Sequence, residues 1–128
     1  MLRLSSSPNN ICEVEGFVKD LVARHAVKEE LYANILISVT EAVNNAIIHG
    51  NDMDESKFVK VFCDKSDKEL CIRVCDEGPG FNPEEIPDPT TPENLVKLGG
   101  RGVFLMQKLC DRVAFHDNGS TVEIGFRL

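Results

Sequence analysis

Glu41 and Asn45 stand four residues apart in the stretch "SVTEAVNNAIIHG", one turn of an α-helix if the segment is helical. A carboxylate and an amide oxygen at that spacing suit metal-assisted phosphate chemistry. The amide oxygen is a hard, neutral ligand for Mg²⁺, which keeps several waters and binds substrate phosphates. The carboxylate one turn away could orient or deprotonate an attacking hydroxyl or water. At about 100° per residue, Asn34, Ser38, Asn45 and His49 all fall within roughly 80° of Glu41. Leu31, Ile35, Leu36, Val39, Val43 and Ile47 fill much of the remaining surface. The wedge reads either as a solvated helix face or as a polar seam in a cleft. A solvated face usually carries Lys and Arg, and none occurs between Lys28 and Lys57, which favours the cleft.

A second group lies in "VCDEGPGF". Asp76 ends a strand-like run, and Gly78 and Gly80 follow it. One reading is a sharp turn. The other makes Asp76 the acceptor for an amino group, with the glycines letting a flat ring or phosphate approach the main chain. Glu77 beside it reads as an ordinary surface carboxylate. No helix opens directly after the glycines, so this is not a dinucleotide fingerprint. A third group is "LGGRGVFLMQKL", in which Gly99, Gly100 and Gly102 introduce a helix with Val103, Met106 and Leu109 on its apolar side. Such a start is either a hinge or an anion site made of free amides and the positive end of the helix dipole. No G-K-[ST] follows, which excludes a Walker P-loop.

These residues need elements to hold them. Residues 9–25 show helical spacing of Ile11, Val14, Val18, Leu21 and Val22. A longer helix is expected from about Val27 to Ile48, stopped by the glycine end signal in His49-Gly50-Asn51. The period then changes to two in "KFVKVFCD" and "ELCIRVCD", joined by the turn "KSDK". Leu70, Ile72 and Val74 share one face. From Phe81 to Gly100 the chain carries four prolines and reads as a long loop. A third helix, from about Gly102 to Cys110, precedes the strands "RVAFHD" and "STVEIGF" around Asn118-Gly119. A short first strand at Leu2–Leu4 completes the set. Segregated helices and mostly antiparallel strands predict an α+β fold, a two-layer sandwich with helices on one face of the sheet.

The 128 residues predict one domain. A net charge of −7 with scattered basic residues argues against direct nucleic-acid binding. No apolar run approaches the roughly 20 residues needed to cross a bilayer, and "MLRLSSSPNN" lacks the apolar core of an export signal. Five cysteines without a C-x-x-C spacing predict reduced thiols and a cytoplasmic setting rather than a disulfide or metal framework.

Taken in order, "EAVNN", "DEGPGF", "GGRGVF" and "GSTV" resemble the four boxes of the superfamily that unites gyrase, sensor histidine kinases and mismatch-repair ATPases. Its domain is the Bergerat ATP-binding fold, with helices on one face of a mostly antiparallel mixed sheet. Within it, "EAVNNAIIHGN" most resembles the anti-sigma factor serine/threonine kinases, and the likeness spans essentially the whole chain. The resemblance implies ATP and Mg²⁺ as cofactors. It makes Glu41 the general base and Asn45 the Mg²⁺ ligand. It makes Asp76 the acceptor of the adenine amino group, with Gly78 and Gly80 closing the base pocket. Residues Asn82 to Leu98 become the lid, and Gly100, Arg101, Gly102 and Val103 face the phosphates. Thr121 is placed near adenine, acting through water. Asn44 beside Asn45 is the less suited amide, because Asn45 shares the wedge with Glu41.

The implied activity is that of a protein serine kinase that sequesters a sigma factor and phosphorylates a serine of an anti-anti-sigma antagonist. A nucleotide-gated regulatory binding module of the same fold, without significant kinase activity, is the alternative. Relatives commonly pair, so a homodimer is compatible with the resemblance.

Overall fold

The computed structural model describes residues 1–78 and 100–128, without the side chains of residues 100–104 and 118. Gly80 and the expected lid, 82–98, lie outside the described residues. Strand β1 (Leu2–Ser5) is followed by a 3₁₀ turn (Pro8–Ile11), helix α1 (Cys12–Arg24) and helix α2 (Glu29–Asn45). A π-helical turn, Ala46–Gly50, extends α2. Strands β2 (Phe58–Lys65) and β3 (Glu69–Cys75), helix α3 (Gly100–Leu109), and strands β4 (Arg112–His116) and β5 (Thr121–Arg127) complete the chain. The expected order of elements is present, with α3 beginning two residues earlier than the glycine pattern suggested.

The sheet runs β1-β2-β3-β5-β4, and all four pairings among the described strands are antiparallel. Alternation decides what faces what. Val61, Val74 and Val122 align across three strands, and Ile72 and Ile124 across two, and all five are buried. They meet Val14, Val18 and Leu21 of α1 and Ile35, Val39, Ala42 and Val43 of α2 in one core. Helix α2 packs between α1 and α3 and lies on β3 and β5. The α2 segment Glu29–Gly50 is long and apolar enough to span a membrane by length and composition, contrary to the sequence expectation. Its apolar residues Ile35, Val39, Val43 and Ile47 are fully buried in this core.

The opposite sheet face carries an ion network. Glu123 accepts from Arg73 Nε at 2.7 Å and from Arg112, which also donates to Glu69 at 2.7 Å. Hydrogen bonds from Arg112 and then Arg73 hold the Glu123 carboxyl down to about 2, from an ordinary value of 4.5. A depressed carboxylate adds stability that is fully present above about 4.5 and is lost as pH falls through about 2. Both arginines are substantially exposed, so screening keeps the effect small. Glu123→Gln is expected to lower stability by about 1 kcal/mol at neutral pH and to flatten the decline between pH 4.5 and 2. Urea midpoints measured across that range check this.

All five cysteines are free thiols. Burial pushes Cys63 up to about 11 and raises Cys71 and Cys110, so these three stay protonated at neutral pH and behave as small apolar side chains.

Candidate active site

Helix α2 carries one end of the site. Glu41 and Asn45 are both half-buried on it, at the border between the core face and solvent. Glu41 makes no hydrogen bond or ion pair with another described residue. The predicted wedge is divided. Ser38 is fully buried and accepts a bond from Cys110 Sγ at 3.3 Å, so it belongs to the contact between α2 and the end of α3. His49 is exposed. By helical geometry Asn45 lies roughly 100° from the centre of the buried face, whereas Glu41 and Asn44 lie roughly 150° from it on either side, which leaves Asn45 the nearer of the two amides to the α3 side of the helix.

The end of α2 builds the other half. The sequence pattern makes Gly50 a helix stop, yet its φ is not left-handed: among the described residues Gly119 is the only glycine with positive φ, and Asp52 and Met53 turn the chain instead. Gly50 is bare for reasons of space. A Cβ there would lie 2.3 Å from Asp76 Oδ2, and a Cβ on Gly78 would lie 1.9 Å from the Gly50 carbonyl oxygen. Asp76 therefore leaves β3 directly against the last turn of α2, on the helix side of the sheet.

Gly78 N–H donates to Asp76 Oδ1 at 2.8 Å, and Asp76 N–H donates to the Ser120 carbonyl at 2.9 Å. Burial raises the Asp76 carboxyl above its ordinary value, against the pull of the Gly78 N–H. Among the described residues Gly78 N–H is the one donor to this carboxylate, which has room for several. A half-buried carboxylate in that state is suited to take a donor from a ligand.

Of the predicted residues, Asp76 and Gly78 come together with the end of α2. Gly100 opens α3, which places the amides of Gly100, Arg101 and Gly102 at a helix start. The side chains of Arg101 and Val103 are outside the described residues, as is all of Gly80. The structure does not bring Thr121 to this group. Thr121 pairs with Cys75 across the sheet, one residue out of phase with the core, and donates to Asp117 Oδ2 at 3.2 Å. It lines a concavity of ≈ 410 Å³ on the outer face with Phe62, Arg73 and His116. Ser120, the residue before it, is the one whose backbone meets Asp76. Glu77 is also more than a surface carboxylate, since it accepts the Phe58 N–H and ties the turn to β2.

The chain matches the histidine kinase-like ATPase domain over residues 4–126. It belongs to that family. It is 34% identical to an anti-sigma F factor of Clostridium perfringens over 120 residues, covering 86% of this chain and 85% of the relative. Another C. perfringens anti-sigma F factor is 37% identical over 106 residues, covering 77% and 75%. The serine-protein kinase RsbW of Listeria innocua is 25% identical over 128 residues, covering 94% and 82%. These relatives agree with the resemblance to the anti-sigma factor serine/threonine kinases, and membership of the ATPase family supports ATP binding. In family terms, α2 supplies the Glu41 and Asn45 pair at one end and the Gly50 wall of the Asp76 turn at the other.

Proposed function

We propose that this protein is a cytoplasmic, Mg-ATP-dependent protein serine kinase that is also an anti-sigma factor. It binds a sigma factor and is relieved by an anti-anti-sigma antagonist, on which it phosphorylates a serine. The observation that carries this reading is the double duty of one helix. Glu41 lies nine residues before Gly50 and Asn45 five, which puts them roughly 13 Å and roughly 7 Å from the Asp76 turn along one helix. An extended nucleoside triphosphate separates its base from its terminal phosphate by a length of that order.

In this role Asp76 accepts the adenine amino group, with Gly50 and Gly78 keeping side chains out of its way. The amides at the start of α3, Gly100 to Val103, receive the phosphates. Glu41 orients and deprotonates the attacking serine hydroxyl. The donor set fits Mg²⁺: Asn45 offers a neutral oxygen, and among the described residues no group of three or more His, Cys, Asp or Glu side chains forms a dedicated cage. A cation that fills its shell with water and phosphate oxygens needs no such cage. When bound, Mg²⁺ supplies neutralisation of charge on the transferred phosphoryl group. The sigma factor enters this reading through relatives named anti-sigma F factor; the antagonist comes from the family resemblance alone, and a homodimer is compatible with it.

Calorimetric titration with ATP and ADP, with and without Mg²⁺, tests the site. Both nucleotides are expected to bind, and chelating Mg²⁺ is expected to weaken ATP by about tenfold or more. Folded protein that binds neither nucleotide defeats the proposal. Transfer of labelled phosphate to a serine of the antagonist tests the kinase activity; binding without transfer would leave a nucleotide-gated binding module.

A further inference from the structure

Asn51 is fully buried, although it follows a helix end and precedes a turn. A buried amide needs partners for its two N–H groups and its oxygen, and here each partner comes from a different element. Its Oδ1 accepts from Glu77 N–H at 2.7 Å. Its Nδ2 donates to Ser6 Oγ at 2.8 Å and to the Phe58 carbonyl at 3.1 Å. Glu77 in turn accepts the Phe58 N–H through its carboxylate. Asn51, Glu77 and Phe58 thus form a closed ring of three hydrogen bonds. Ser6, also fully buried, anchors that ring to the end of β1 by donating to the Lys57 carbonyl at 2.8 Å.

The ring sits one residue from the group that reads the base. Gly50 and Asn51 are adjacent, as are Asp76 and Glu77. Asn51 fixes Glu77 N–H while Gly50 bounds the Asp76 carboxylate, so the amide sets how far the turn stands from the end of α2. Without it, Glu77 N–H and the Phe58 carbonyl lose their partner at a part-buried position, and the turn gains freedom to shift. A hydrogen bond from ligand to carboxylate weakens steeply with such misalignment.

We propose that Asn51 is the positioning residue of the base-reading turn, holding Asp76 in register with α2 and thereby setting the preference for an amino-bearing purine. Being wholly buried, Asn51 touches no nucleotide. Its effect passes through Glu77 and Asp76. The inference rests on the adenine-pocket reading of Asp76 given above.

The test compares ADP with inosine diphosphate, which carries an oxygen where adenine has its amino group. Dissociation constants are measured by calorimetry at a temperature where each variant is folded, alongside thermal melting. The wild type is expected to prefer ADP by about tenfold or more, the size of one hydrogen bond to a charged group. Asp76→Ala should abolish that preference. Asn51→Ala should reduce it to within about threefold of unity, through weaker ADP binding with inosine diphosphate little changed. Ser6→Ala removes the anchor but keeps the bond to Glu77, and should lower the melting temperature while leaving the preference intact. If Asn51→Ala does not fold, Asn51→Asp is informative: it keeps an acceptor for Glu77 N–H and should retain the preference despite a lower melting temperature.

A wild-type preference in Asn51→Ala, or its loss in Ser6→Ala or Asn51→Asp, overturns the positioning role. A wild type with no preference, or an Asp76→Ala variant that keeps it, overturns the pocket reading itself and this inference with it.

Discussion

Glu41→Ala is expected to cut phosphoryl transfer to a protein serine by about 10²–10⁴-fold, the usual contribution of a positioned general base. The same variant should bind ATP within about twofold of wild type, because the role proposed for Glu41 is toward the attacking hydroxyl and not the nucleotide. The structure makes this a clean experiment. Glu41 is half-buried, stands on the border of α2, and bonds to no other described residue. Its removal leaves no orphaned partner among the described residues, and alanine is the best helix former, so stability should hold or rise slightly. Single-turnover phosphorylation, with nucleotide affinity measured in parallel, separates the chemical step from binding. Undiminished transfer by Glu41→Ala would remove Glu41 from the mechanism. Equal losses of affinity and rate would make it a binding residue.

Periodicity was enough to read the layers of this fold. The 3.6-residue spacing of Val14, Val18 and Leu21 and the alternation of Leu70, Ile72 and Val74 both report which side must be dry, and all six are buried. The same logic puts Glu41 and Asn45 on one side of α2, since residues four apart on a helix share a side wherever the helix lies. It also placed Asp76 at a strand end.

What the sequence concealed depends on contacts between distant segments. Ser38 looked like part of an open seam until Cys110, 72 residues away, closed over it. Thr121 matched a box by order along the chain, but one step of strand register sends its side chain through the sheet to the other face. Ser120 held the better place. Glu77 and Asn51 are polar residues in turn-forming contexts, where local rules predict exposure. Their hydrogen bonds span 19 and 26 residues, and no local pattern encodes a bond of that reach.

Gly50 shows most sharply how a correct local reading can give the wrong reason, and it leads to the other large effect. Gly50→Ala is expected to weaken ADP and ATP binding by roughly ten- to hundredfold, the loss of a hydrogen bond to a charged acceptor. As a helix stop, Gly50 would be replaceable at little cost. Its φ lies outside the left-handed region, and alanine is favoured over glycine in helical backbone by about 1 kcal/mol. That view predicts unchanged binding and an equal or higher melting temperature. The contact view predicts the opposite for binding. A methyl group 2.3 Å from Asp76 Oδ2 and 2.4 Å from its Cγ cannot coexist with the present rotamer, so the carboxylate must swing away from the base it is proposed to read. Gly78→Ala should be worse, because its Cβ meets the Gly50 carbonyl at 1.9 Å and backbone cannot rotate aside. It should lower the melting temperature as well as the affinity. Nucleotide titration and thermal melting of the two variants decide the matter. A Gly50→Ala protein that melts no lower and binds ADP as wild type does would return Gly50 to a helix stop and detach Asp76 from the end of α2.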